Sequence, residues 1–368
     1  MRATFPHMGV AWVGIRYLVE QLGFEAVVPP PVSRRTLELG TKYAPESLCL
    51  PFKVNLGNYL EAMEAGVDVV FMVGGIGPCR LGYYAEVQRQ IMQDLGIEAD
   101  LVVLERDNFI FELNRVLNNQ GARLPWHRLL SVIRLGLAKI AYLDELETQL
   151  LRERYREKRR GSCTRLQEYA IGLVDRADSW AELRRVRREV AGQLAALLGP
   201  AEAAPLRVAV VGEIYMLIEP GVNLGIAERL GELGASVERS MYTSTWVREH
   251  LLYDPRALRH GRHIARLARP YLPQPVGGHC LETLGFTADY ALRGFAGAVQ
   301  ILPLTCMPEI IAETILPTVS SDYRIPVMTI TLDEHSGEAG VITRLEAFLD
   351  MLRQRRYAAE HSGVLQMI

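Results

Sequence analysis

Apolar and polar positions alternate between two periods along the first hundred residues. Short extended segments at Ala3–Phe5, Glu25–Val28, Val67–Val73 and Leu101–Leu104 are separated by amphipathic stretches at Trp12–Leu22, a helical run ending near Ala65, and Tyr83–Leu95. Strand–helix alternation of this kind builds a parallel sheet covered on both faces. The run Val67-Asp-Val-Val-Phe-Met-Val73 is short, β-branched and bounded by Gly66 and Gly74, which predicts a buried central strand. From Asn108 to Leu198 the pattern changes to long helical segments rich in Leu, Arg, Glu and Ala, interrupted at Gly121–Pro125 and Gly161–Cys163. Their leucine stripe keeps no sustained heptad and reads as core rather than a coiled-coil surface. After the linker Gly199-Pro-Ala-Glu-Ala-Ala-Pro205 a second alternating series begins: strands at Arg207–Val211, Ser236–Arg239, Gly297–Leu302 and Val327–Leu332, with helices near Asn223–Leu233, through Trp246–Leu272, from Pro308, and at Val341–Arg355.

The expected fold is therefore α/β, with two Rossmann-like parallel-sheet lobes, residues 1–107 and 205–368, and a helical domain, residues 108–204, between them. Gly66–Val73 followed by Cys79 is matched in plan by Gly297–Leu304 followed by Cys306, which suggests an internal repeat.

A chain of 368 residues, 49% hydrophobic, can bury a core in each of several domains. The formal charge of −2 argues against a general nucleic-acid binder. The basic run Arg152–Arg160 is interleaved with acids and reads as a solvated helix end. Lysine stands only at Lys42, Lys53, Lys139 and Lys158, a bias that identifies no function. The first residues show no signal pattern and no apolar run approaches the ~20 residues of a membrane span, so a cytoplasmic, reducing location without membrane attachment is expected.

Cysteine usage changes the picture most. Cys49, Cys79, Cys280 and Cys306 each stand singly at a break between a strand or glycine turn and a helix, and closely spaced metal-knuckle pairs are absent. Glycine and proline beside each sulfur let backbone N–H groups approach it, as an iron–sulfur cluster requires. Ligands of doubly wound sheets collect at the carboxyl ends of the strands, which places the site in the cleft between the lobes, after the strands that lead to Cys79 and Cys306. Cys49 precedes Pro51 at a helix start, where the helix dipole favours a thiolate. Any one of these cysteines taken alone could be a small buried hydrophobe.

The strings Pro45-Glu-Ser-Leu-Cys49-Leu-Pro-Phe-Lys53, Gly77-Pro-Cys79-Arg80-Leu-Gly82-Tyr83, Val211-Gly-Glu-Ile-Tyr215, Cys306-Met-Pro-Glu309, Leu332-Asp-Glu-His-Ser-Gly-Glu-Ala-Gly340 and Thr343-Arg-Leu-Glu-Ala-Phe348 resemble the acyl-CoA dehydratase activase-related proteins. These are relatives of the 2-hydroxyacyl-CoA dehydratase subunits and the double-cubane-cluster proteins. The resemblance covers both α/β lobes and implies an oxygen-sensitive iron–sulfur protein, reduced by a separate ATP-dependent activator protein. It implies a [4Fe-4S] cluster on Cys49, Cys79 and Cys306, with one iron open for substrate. Cys280 departs from that pattern: as a fourth thiolate it would close the cluster, or help hold a larger [8Fe-9S] double-cubane cluster, and otherwise it is a free thiol at a glycine turn. A related second subunit or a homodimer is compatible with the resemblance.

The chain has no G-x-x-x-x-G-K-[ST] phosphate loop and no G-x-G-x-x-G fingerprint, so it is not itself the nucleotide-driven partner. Lys53 and Arg80, beside ligand cysteines, would offset cluster charge, and Arg80 could anchor an anionic substrate or form a surface salt bridge. His279 is the proton-donor candidate beside Cys280. His335, with Glu334 and Glu338, is a second acid–base candidate or a structural hydrogen-bond partner in its loop. Tyr83, Tyr84 and Tyr215 line the cleft or serve packing, and Cys163 lies apart from the site. Three functions remain open from the sequence: a redox protein that relays electrons or reduces a small substrate, a cluster carrier or scaffold, and a structural zinc protein on the same thiolates.

Overall fold

Four short apolar segments of the first lobe, Arg2–Thr4 (β1), Glu25–Ala26 (β2), Val69–Val73 (β3) and Asp100–Leu104 (β4), pair in parallel in the order β2-β1-β3-β4. The computed structural model describes residues 1–75, 79–105, 108, 111, 112, 115, 125–201 and 204–362. The register sets Ala3 opposite Val69 and Val70 opposite Leu101. β3 is interior and buried along all but its last residue, as its run of apolar residues between glycines predicts. Around the sheet lie Trp12–Gln21 (α1), Arg34–Tyr43 (α2), Leu50–Met63 (α3) and Leu81–Asp94 (α4).

The single helical run expected to end near Ala65 is two helices. Pro45 disfavours a helical residue before it, and Ala44 is extended (φ −79°, ψ 144°), so α2 stops there and α3 starts afresh from Cys49. A Cβ on Gly57 would lie 2.0 Å from the Thr36 carbonyl oxygen, so the absence of a side chain is what lets α2 and α3 cross closely. α3 is buried almost along its whole length, Lys53, Asn55 and Asn58 included.

The second lobe has Leu206–Gly212 (β5), Ala235–Arg239 (β6), Gly297–Pro303 (β7) and Val327–Leu332 (β8), again all parallel, in the order β6-β5-β7-β8. The two sheets thus share one strand order, and β3 and β7 occupy the same place in it. Between 126 and 197 run Trp126–Glu153 (α5), Ser162–Asp175 (α6) and Trp180–Leu197 (α7). Of the break expected at Gly121–Pro125, only Pro125 is among the described residues. Leu143, Leu146, Leu150, Leu166, Leu183 and Val190 form the helical core, joined by Val13 and Tyr17 of α1, so the leucine stripe is core and the helices are fastened to the first lobe. One correction concerns the basic run: Arg154 is 1% exposed, its Nη1 donating to Thr164 Oγ1 (2.7 Å), because the turn after α5 tucks under the second lobe against Gly231.

The second lobe's helices are Ile214–Ile218 (α8), Pro220–Asn223 (α9), Ile226–Glu232 (α10), Thr243–His250 (α11), Pro255–Ala268 (α12), Cys280–Leu292 (α13), Met307–Tyr323 (α14) and Glu338–Ser362 (α15). The helices expected through Trp246–Leu272 are α11 and α12, separated before Pro255, where Asp254 caps α12 by accepting from the Arg256 N–H (2.7 Å). The lobes meet through α3: Leu50 and Val54 belong to the core cluster built on β5, β7 and β8. His7 Nδ1 lies 2.8 Å from Glu219 Oε2, which also accepts from the Gly9 N–H at 2.8 Å, and Tyr215 Oη donates to the His7 carbonyl at 2.8 Å. No helix among the described residues is long and apolar enough to cross a membrane.

Candidate functional site

The carboxyl edges of the two sheets face a common region, and each contributes residues there by the same device, a strand that ends abruptly. β3 ends at Val73 and leads through Gly74 and Gly75 toward Cys79; β7 ends at Pro303 and leads through Leu304 and Thr305 to Cys306. β5 ends at Gly212 and delivers Glu213. Gly212 has φ +141°, and a Cβ there would sit 2.0 Å from the Ile301 carbonyl oxygen, so only glycine makes this exit. Thr305 holds φ +67°, an unfavourable conformation for a β-branched residue, and its Oγ1 is buried without a partner. Strain therefore sits directly before Cys306.

Three helices begin at this edge. Cys49 is the N-cap of α3, Cys306 the N-cap of α14, and Cys79 precedes Arg80, the N-cap of α4. Cys49 and Cys306 are 9% and 8% exposed, Cys79 more so, and all are free thiols. Cys49 Sγ lies 2.6 Å from Tyr84 Oη, and the Tyr84 ring meets Phe52 edge-on. The Glu213 carboxylate is an electrostatic neighbour of Cys49, Cys79, Cys306 and Tyr84, and Cys49 is a neighbour of both other thiols. Cys49 and Cys79 of one lobe and Cys306 of the other thus lie within electrostatic reach of one half-buried carboxylate, Glu213.

The protonation states depart from the sequence expectation. Burial pushes the Cys49 thiol up to about 11 against the opposing hydrogen bond from Tyr84, and burial likewise raises Cys79 and, with Glu213, Cys306. Desolvation outweighs the dipole of three helix starts, so in the metal-free protein these groups are thiols. Burial also pushes Glu213 up to about 7.

Cys280 stands elsewhere. It is fully buried at the start of α13 among Ala268, Leu284, Ala312 and Leu316, and burial, with Glu309 and Glu282, pushes its thiol up to about 12. None of the other three cysteines is among the groups acting on it; Glu309 is the carboxylate it shares with Cys306. Glu309 is itself wholly buried, accepting from Thr283 Oγ1 (3.0 Å) and Gln300 Nε2 (3.0 Å), and burial raises it to about 8. Cys163 is buried in the helical core beside Glu157.

His279 lies before α13, in a turn pressed on the start of α14: a Cβ on Gly278 would be 2.8 Å from Pro308 Cγ. Its Nδ1 is buried without a partner, and burial, with His250, drives the imidazole down to about 4, so it is neutral. Arg80 is exposed and donates through Nη1 to the Ser47 carbonyl, tying the Cys79 loop to the Cys49 loop. Lys53 is 6% exposed, and its Nζ lies 2.6 Å from Glu334 Oε1 across the lobe boundary. His335 is exposed; its backbone N–H donates to Asp333 Oδ1 (2.9 Å) within the loop. Tyr83 is 72% exposed, whereas Tyr84 and Tyr215 are buried.

Sequence alone does not single out Glu213 or Glu309: in Val211-Gly-Glu-Ile-Tyr215 and Cys306-Met-Pro-Glu309 a lone acid after a strand or in a first helical turn reads equally as a cap. Among the described residues, no three Cys, His, Asp or Glu side chains converge closely enough to hold a single metal ion.

Residues 12–73 match the family model described as CoA enzyme activase uncharacterised domain. That match supports a relation to CoA-enzyme-activase-related proteins. The matched segment runs from the start of α1 to the end of β3 and includes Cys49. No curated protein matches the chain.

Proposed function

We propose that this chain is an iron–sulfur redox protein whose cluster is held by Cys49, Cys79 and Cys306, and which takes low-potential electrons from an ATP-dependent activator and relays them or reduces a small substrate in partnership with a CoA enzyme. The observation that carries the reading is the meeting of three thiols from both lobes at three helix starts around Glu213.

The donor set fits such a group by its chemistry: thiols are the protein ligands of clusters, and all three cysteines are free. Helix N-termini complement negative charge. When bound, a cluster supplies one-electron chemistry at low potential. The chain's own residues do the rest. Tyr84 and Phe52 close the Cys49 side to water, Arg80 joins the two cysteine loops of the first lobe, and Lys53–Glu334 and His7–Glu219 hold the lobes at the spacing that keeps Cys306 opposite Cys49. Glu213, its carboxyl pushed up to about 7 by burial, is the remaining oxygen donor among the thiols.

Anaerobic purification followed by iron, acid-labile sulfide and zinc analysis, with EPR of the dithionite-reduced protein, tests the reading. A [4Fe-4S] protein gives about four irons and four sulfides per chain, and a double-cubane relative about eight irons. Cys79→Ser and Cys306→Ser should each lose most of the iron while leaving the melting temperature of the metal-free protein nearly unmoved. Zinc without sulfide would replace redox with a structural role, and ready transfer of the cluster to an apo-acceptor would make the chain a carrier.

A further inference from the structure

Helix α12 carries Arg256, Arg259, His260, Arg262, His263 and Arg266, with Arg269 as its helical C-cap, and Asp254 just before it is spent on capping. At 3.6 residues per turn, Arg259, Arg262, Arg266 and Arg269 fall within roughly 80° of arc, a stripe about 15 Å long. All four are exposed, and the stripe lies opposite the face that buries Ile264 and Ala268 against α13 and α14.

Among the described residues no carboxylate forms an ion pair with any of these arginines, whereas Arg16, Arg152, Arg160, Arg187, Arg229 and Arg293 are all paired. The carboxylates that do meet the helix, Glu249 beside Gly261 and Asp289 beside His263, lie off the stripe. Like charges three and four residues apart repel, and Arg256 and Arg259 stand toward the positive end of the helix dipole, although Arg266 and Arg269 stand at its favourable end. Arg262 Nε and Arg266 Nε donate to the Leu258 and Arg262 carbonyls (3.2 and 3.3 Å), which engages part of each guanidinium without neutralising its charge.

We propose that the arginine stripe of α12 is a docking surface for an acidic protein partner, engaged through a helix that presents glutamates or aspartates at matching three- and four-residue spacing. Two observations select a protein over other anions. Leu252, 54% exposed, precedes α12 in the chain, and arginine is among the residues enriched at protein interfaces. A nucleic acid or anionic membrane would extend well past 15 Å onto a molecule whose formal charge is −2. The opposite, buried face of α12, at Ala268, packs with Cys280, and the turn before Cys280 rests on Pro308 beside Cys306. The inference does not depend on the cluster.

The test uses the full chain and a fluorescein-labelled helical peptide with glutamate at alternating third and fourth positions, followed by fluorescence anisotropy at low and raised ionic strength. The wild type should bind it and weaken as salt rises; R259Q/R262Q/R266Q should lose about tenfold in affinity, and R259E/R262E/R266E should not bind. Thermal melts of both variants should equal or exceed the wild type, since repulsion is relieved. No peptide binding by the wild type at low salt, undiminished binding by the variants, a lowered melting temperature, or tighter binding of duplex DNA or phosphatidylserine vesicles than of the peptide would each overturn the proposal. Iron analysis of the same variants separates this outcome from that of the cluster reading: intact iron with lost peptide binding concerns the stripe alone.

Discussion

Cys280 and Cys79 illustrate how little a cysteine's neighbours in sequence say about its task. Both follow glycine-rich sequence, yet Cys280 is enclosed by aliphatic side chains and Cys79 is half-buried with Glu213 and Arg80 as charged neighbours. Cys280→Ala should keep full iron content and cost about 1 kcal/mol for the small cavity it leaves. Cys280→Ser should be worse, by about 1–3 kcal/mol, because its hydroxyl gains no partner in an apolar cluster. Chemical denaturation of both variants, set beside their iron content, checks the expectation; a loss of iron in Cys280→Ala would return Cys280 to the ligand set. The same contrast applies to His279 and His335, one half-buried and neutral beside the start of α14, the other on the surface of its loop.

At the scale of elements, the helical segment is held to the second lobe by charge. Arg239, at the end of β6, is enclosed with Glu147 of α5: its Nη1 donates to Glu147 Oε1 at 3.2 Å and its Nη2 to the other carboxylate oxygen, while the neighbouring Asp144 accepts from the Ser244 N–H at 2.7 Å. Both side chains of the pair are nearly inaccessible, so removing one partner strands the other in low dielectric. Glu147→Ala should therefore cost about 3–5 kcal/mol in urea unfolding, far more than loss of an exposed pair such as Arg187–Glu145. If the two losses were equal, the junction between α5 and β6 would rest on apolar contact alone.

For the whole molecule the pairing of the lobes carries a pH dependence of definite sign. Partial burial works against ionisation of Glu334, but the Lys53 hydrogen bond and charge hold its carboxyl below the usual 4.5. A depressed carboxyl contributes stability in full above 4.5 and loses it as pH falls through the folded-state value. The wild type should thus lose more stability than Glu334→Gln on acidification from neutrality to below that value, by urea titration at each pH. Parallel losses would mean that the Lys53–Glu334 tie does not couple the lobes.

Local pattern determined the strands, the two parallel sheets, the helical middle and the helix start at Cys49, because period, β-branching, proline and glycine act over a few residues. The shared strand order was legible only as a likeness between two strings around Cys79 and Cys306. Tertiary structure decided which cysteines meet. Cys49, Cys79 and Cys306 come together because both sheets end at one boundary, while Cys280, equally suggestive in sequence, is turned into an apolar cluster by the packing of α12, α13 and α14. It also decided that Glu213 stands among the thiols, that Lys53 reaches across to Glu334, and that the thiols are protonated without metal. Each depends on burial and on contacts more than a hundred residues apart, which no local pattern encodes.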